Sequence, residues 1–83
     1  MQMLVKLAGM EMSPNQCRGA RGLLDWSQTR LANASGVGLS TVYDFEKTRR
    51  EVSREKVQAM RIALELAGIM FNGDGVSLRR PRK

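Results

Sequence analysis

The sequence predicts a mostly α fold, four helices followed by a short C-terminal β-hairpin. Three observations predict it. Ser13, Ser27 and Ser53 each precede a stretch with apolar residues at helical spacing, as N-caps do. Gly36 and Gly68 follow such stretches, where helices stop. Beyond Gly68 the period shortens, and an apolar triplet and an alternating Val-Ser-Leu flank a glycine-rich tetrapeptide. The organisation expected is an N-terminal arm over residues 1–12, a helical domain over 13–68, and a short β element with a basic tail over 69–83.

The elements follow in order. Residues 3–7, Met-Leu-Val-Lys-Leu, alternate as a strand would and could pair with the hairpin or a second copy; the alternatives are an arm ordered only by packing or a segment preceding a true start at Met12. Ser13-Pro14-Asn15-Gln16 combines a cap, a proline whose missing N–H costs nothing at the first helical position, and a Gln able to close a capping box. That helix runs to about Leu24 with Cys17, Ala20, Leu23 and Leu24 inward. Asp25-Trp26 breaks it. The second helix buries Leu31 and Ala32 and ends at Gly36. The third starts near Gly38–Ser40, runs to about Lys47 and turns Val42 and Phe45 inward. A charged loop over Thr48–Val52 leads to the fourth helix, with Val57, Met60, Leu64 and Ala67 in register. Ile69-Met70-Phe71 and Val76-Ser77-Leu78 then form a hairpin around Asn72-Gly73-Asp74-Gly75.

Charge indicates the kind of partner. Fourteen Lys and Arg against eight Asp and Glu give a net +6 on 83 residues, and a chain this basic suits a polyanion whose counterions it displaces. The distribution matters more than the total. Lys47, Arg49, Arg50, Arg54 and Lys56 lie within the folded region, whereas Arg79, Arg80, Arg82 and Lys83 crowd the terminus. No apolar run approaches the ~20 residues of a spanning helix, and Met1–Met12 is too short and too weakly apolar for a signal peptide; a cytoplasmic location is the expectation. With no His, no reason for two carboxylates to meet and no ligand cluster, neither catalysis, a metal, a cofactor nor a small-molecule ligand is implied. Cys17 reads as a small buried apolar residue, and Trp26 as a wedge between the first two helices.

Residues 26–47 carry the functional signal. Two short helices joined by a three- to four-residue turn containing Gly must cross steeply, which is the helix-turn-helix geometry. Ala32 is small where the helices approach, Gly36 turns the chain and Val37 plugs the corner. With Val42 and Phe45 inward, Leu39, Ser40, Tyr43, Asp44 and Lys47 face outward, and Arg49 and Arg50 follow at once. Such a face suits a phosphate-walled groove.

The stretch Arg21–Arg50 resembles the lambda-repressor and Cro-like (Xre) helix-turn-helix proteins, through W-S-Q-x-x-L-A-x-x-S-G-V-x-x-S-T-V-x-x-F-E over Trp26–Glu46. The likeness covers about residues 13–67. It implies a lambda-repressor-like domain that binds double-stranded DNA and regulates transcription. By that resemblance Gln28 contacts a phosphate and steadies the recognition helix. Leu39, Ser40, Thr41, Tyr43 and Asp44 reach base edges or the adjacent backbone. Lys47, Arg49 and Arg50 clamp the backbone, and Arg21 pairs with Glu46. Gly38 departs from the usual Ser or Thr cap, Thr48 from a frequent Gly, and Leu39 from a polar base reader, though it could pack on a thymine methyl. Asp44 is an acid facing a polyanion: it either accepts from a cytosine amino group or orients a neighbouring arginine, or it has a structural role on the helix.

One copy presents one recognition helix, so a homodimer on an inverted-repeat operator is expected, joined through Ile62, Leu66, Ile69 and the hairpin. The rival is an antitoxin or antiactivator, the same fold used to bind another protein.

Overall fold

The computed structural model describes residues 11–79. The N-terminal strand expected over residues 3–7 lies outside them, as do Arg80, Arg82 and Lys83. Four helices, α1 (Pro14–Leu24), α2 (Gln28–Ser35), α3 (Leu39–Glu46) and α4 (Arg54–Leu66), precede a two-stranded antiparallel hairpin, β1 (Ile69–Asn72) and β2 (Gly75–Leu78).

The helix ends form as the side chains at them dictate. Ser13 Oγ accepts from the Gln16 N–H while Gln16 Oε1 accepts from the Ser13 N–H, a complete capping box with Pro14 just inside it. Ser27 and Ser53 cap α2 and α4 alone, through the N–H groups of Arg30 and Lys56. Gly38 caps α3 without a side-chain bond. Gly36 closes α2 in the left-handed conformation, its N–H donating to the Ala32 carbonyl.

Two other helix ends use non-glycine residues in that conformation, Asp25 after α1 and Thr48 after α3. Both closures are complete Schellman motifs: Trp26 N–H donates to Arg21 O and Asp25 N–H to Gly22 O, and Arg49 N–H donates to Asp44 O and Thr48 N–H to Phe45 O. Asp tolerates the left-handed region. A β-branched Thr pays a steric cost there, on the order of 1–2 kcal/mol.

Cys17, Ala20, Leu31, Val42, Met60, Leu64 and Ile69 form the core, with Trp26, Val37, Phe45 and Phe71 packed around it. Leu23 departs from expectation: it is exposed, and only Leu24 of that pair turns partly inward. Ile69 departs as well. Rather than joining an outer apolar surface, it is 1% exposed, because Ile69 and Phe71, with Val76 paired opposite Phe71, lie on the hairpin face that packs inward, while Leu78 at the open end stays exposed.

The hairpin is pinned from α1. Gln16, already part of the capping box, donates its amide N–H groups to the carbonyls of Gly73 (2.9 Å) and Gly75 (3.1 Å). β2 lies so close to α1 that a methyl group built on Gly19 would sit 3.2 Å from Val76 Cγ2.

Candidate nucleic-acid interface

The C-terminal end of α3 is anchored underneath by a single carboxylate. Glu46 is 2% exposed, and a bare charge there would be costly unless paired and hydrogen-bonded. It is both. Arg21 grips it with two parallel bonds, Nη2 to Oε1 and Nε to Oε2, each 2.7 Å, the fork geometry that makes Arg–carboxylate pairs specific. Gln28 Nε2 donates to Oε1 at 3.0 Å and the Cys17 thiol to Oε2 at 3.1 Å. Arg18 donates to the Glu46 backbone carbonyl, satisfying one of the last carbonyls of α3. Through one residue the helix is tied to α1 and to the first turn of α2.

Burial, the largest influence on the Glu46 carboxyl, pushes its pKa up; the hydrogen bonds from Arg21, Gln28 and Cys17 and the Arg21 charge together outweigh it and hold the group below the ordinary carboxylate value. The Glu46 bond in turn raises the pKa of Arg21. Burial first, then the bond to Glu46, pushes the Cys17 thiol far above its ordinary range. Cys17 is therefore a protonated donor with no nucleophilic character, and its hydrogen bond is more than the purely apolar packing expected of it.

The opposite side of α3 is open. Leu39, at the first helical position, is 48% exposed and Tyr43 40%. Ser40, Lys47, Arg49 and Arg50 are exposed and Asp44 is partly so. Lys47 Nζ and Arg49 Cζ lie 5.9 and 6.0 Å from the Tyr43 ring centroid, so the ring carries positive charge on its flank. Arg50 Nε donates to Asp44 Oδ2 at 2.8 Å, and Arg49 Nε lies 3.8 Å from Asp44 Oδ1.

Of the nine side chains singled out in the sequence, Leu39, Ser40, Tyr43, Asp44, Lys47, Arg49 and Arg50 share this face and the loop that follows it. Thr41 does not. It is 6% exposed beside Val42, so its side chain is a packing element under the helix and cannot reach a base edge. Gln28, at the start of α2, is half-buried with its amide on Glu46; the bond ties the start of α2 to the end of α3 and occupies a donor that a phosphate contact would also use. Arg18 was not singled out, although its spacing of three from Arg21 puts both on one face of α1. Among the described residues, no group of three His, Cys, Asp or Glu could hold a metal, and no helix is long and apolar enough to cross a membrane.

No curated protein matches the chain. The model of a helix-turn-helix family matches residues 18–67, more than half of it. Those residues run from the second turn of α1 to the end of α4, and so enclose the Glu46 anchor, the exposed face of α3 and the arginines after it. A buried underside that fixes a short helix and an open, cation-flanked outer side are the two things a groove-reading helix needs, and this chain belongs to the Xre, lambda-repressor-like helix-turn-helix family of DNA-binding regulators.

Proposed function

We propose that the protein is a sequence-specific transcriptional regulator that binds an inverted-repeat operator as a homodimer, with α3 in the major groove. The observation that carries this reading is the juxtaposition of Leu39, Ser40 and Tyr43 on the open face of a firmly anchored α3 with Lys47, Arg49 and Arg50 at its C-terminal end. The short polar and apolar groups suit base edges and thymine methyls; the long cations suit the flanking phosphates. Gln28 opens α2, from where its amide would exchange Glu46 for a phosphate oxygen or share between them. A cytoplasmic protein free of cofactors, regulated by its own concentration and operator arrangement, is the corresponding picture.

Dimerisation would bring two such helices onto half-sites one turn of DNA apart, about 34 Å. The surface proposed for it is the exposed apolar set Ile62, Leu66, Met70 and Leu78, in which Leu66 is 84% exposed at the end of α4. Ile69, a core residue, is no longer part of that set.

Selection of bound sites from a random duplex pool, with sedimentation of the protein alone and on the selected duplex, tests this. Enrichment of an inverted repeat bound by two copies is expected. Leu66→Asp should leave melting unchanged while weakening both dimer and operator binding. A pool that yields no common sequence would favour a protein-binding module on the same fold.

A further inference from the structure

Asp44 stands on the side of α3 that the proposed function turns toward DNA, where a carboxylate opposes binding. Its surroundings show what it does. Both of its oxygens face arginines, Oδ2 accepting from Arg50 Nε at 2.8 Å and Oδ1 lying 3.8 Å from Arg49 Nε. Its backbone carbonyl also accepts from the Arg49 N–H at 2.9 Å. These contacts exist because Thr48 takes the left-handed conformation, φ 56°, which folds the chain back over the last turn of α3. A straight exit would carry Arg49 and Arg50 away from residue 44. Arg50 is further tethered through Nη1 to the Glu51 carbonyl.

We propose that Asp44 is an electrostatic restraint on the two arginines that clamp the DNA backbone: it holds them on the protein and reduces affinity for DNA of arbitrary sequence. The proposal rests on the DNA-binding reading above. In place of a base contact at residue 44, it gives the acid a role in the balance between non-specific and specific binding. Non-specific affinity is almost wholly the entropy of counterions released by cations that reach phosphates. A cation that keeps an internal anion as partner displaces fewer counterions. An exposed pair of this kind is weak enough to open when a well-placed phosphate competes.

The substitution Asp44→Asn keeps the shape and removes the charge. For the otherwise unchanged protein on a duplex of arbitrary sequence, it should steepen the plot of log affinity against log salt by about one unit, and raise affinity about five- to tenfold near 0.1 M salt. In a chain carrying both Arg49→Ala and Arg50→Ala, compared at a salt concentration low enough for both backgrounds to bind, the same substitution should gain no more than about twofold, because the groups it would release are gone. Melting of the Asp44→Asn protein monitors its fold, and single-base operator variants report on base reading. Equal gains in the two backgrounds would overturn the proposal in favour of plain repulsion between Asp44 and phosphate. An altered preference at one base pair with an unchanged salt slope would overturn it in favour of a base contact, the DNA reading standing. Wild-type binding to duplex DNA that ignores salt would remove the DNA reading, and the restraint with it.

Discussion

Two carboxylates two residues apart on α3 each hold arginine, and they do opposite work. Glu46 is sealed beneath the helix, accepts four side-chain donors and is gripped at both oxygens by Arg21. Asp44 sits at the rim with Arg50 and Arg49, whose side chains are more than half exposed. In low dielectric, with every lone pair occupied, losing one partner strands a charge at ~3–5 kcal/mol; at the rim, water and salt screen the pair to ~0–1 kcal/mol. Solvent access, rather than residue type, decides which pair is scaffold and which is open to competition from an outside anion.

The largest effect expected on this contrast is on the buried side. Arg21→Met should cost ~3–5 kcal/mol by stranding Glu46, and lower the melting temperature by ~4–8 °C per kcal/mol for a domain of this size. Arg50→Met should change stability by less than ~1 kcal/mol. Thermal or urea melts of the two variants side by side measure it; equal losses would erase the distinction.

Acid sharpens the comparison. The carboxyl of Glu46 has a lower pKa in the folded protein than its ordinary value, so between those two values the unfolded chain binds more protons and stability rises with pH. The contribution is fully present above the ordinary glutamate range and is lost as pH falls through the folded value. Urea midpoints from pH 7 to pH 3 should therefore fall more steeply for the wild type than for Glu46→Gln. Parallel curves would mean that the pair contributes nothing linked to protons.

A smaller effect concerns the turn between the two pairs. Thr48→Gly relieves the left-handed strain and should stabilise the fold by ~1 kcal/mol, offset in part by the greater freedom of glycine in the unfolded chain. An unchanged or lowered denaturant midpoint would argue against strain at that residue.

How far these features were legible in the sequence depends on their range. The caps at Ser13, Ser27 and Ser53 and the stop at Gly36 are local, and each appears where its side chain indicates. The Arg21–Glu46 pair, 25 residues apart, was legible only through the family signature. Gln16 was legible as half of a capping box, but its second bond, to carbonyls 57 and 59 residues away, depends on where the hairpin packs. Gly19 was the available clue, since a glycine inside a helix often marks a close approach. Helical spacing alone could not separate Ile69 from Leu66, because the reversal at Gly68 (φ 111°) turns the next residue into the core while Leu66 stays outside. Thr41 was singled out through the family signature, although its spacing of four from Phe45 already puts it on the inward side of α3, where it is buried.

The central claim, that the outer face of α3 reads bases while the arginines after it grip phosphates, is tested most directly by comparing Ser40→Ala with Arg49→Ala. The comparison uses a selected operator and its single-base variants at several salt concentrations. Arg49→Ala should weaken binding to the operator and to each of its single-base variants alike and lower the salt slope by about one unit, as the loss of one phosphate contact does. Ser40→Ala should leave the slope unchanged and shift preference by ~1–3 kcal/mol at one or two operator positions. If both substitutions merely scale affinity for every duplex, α3 is not reading bases.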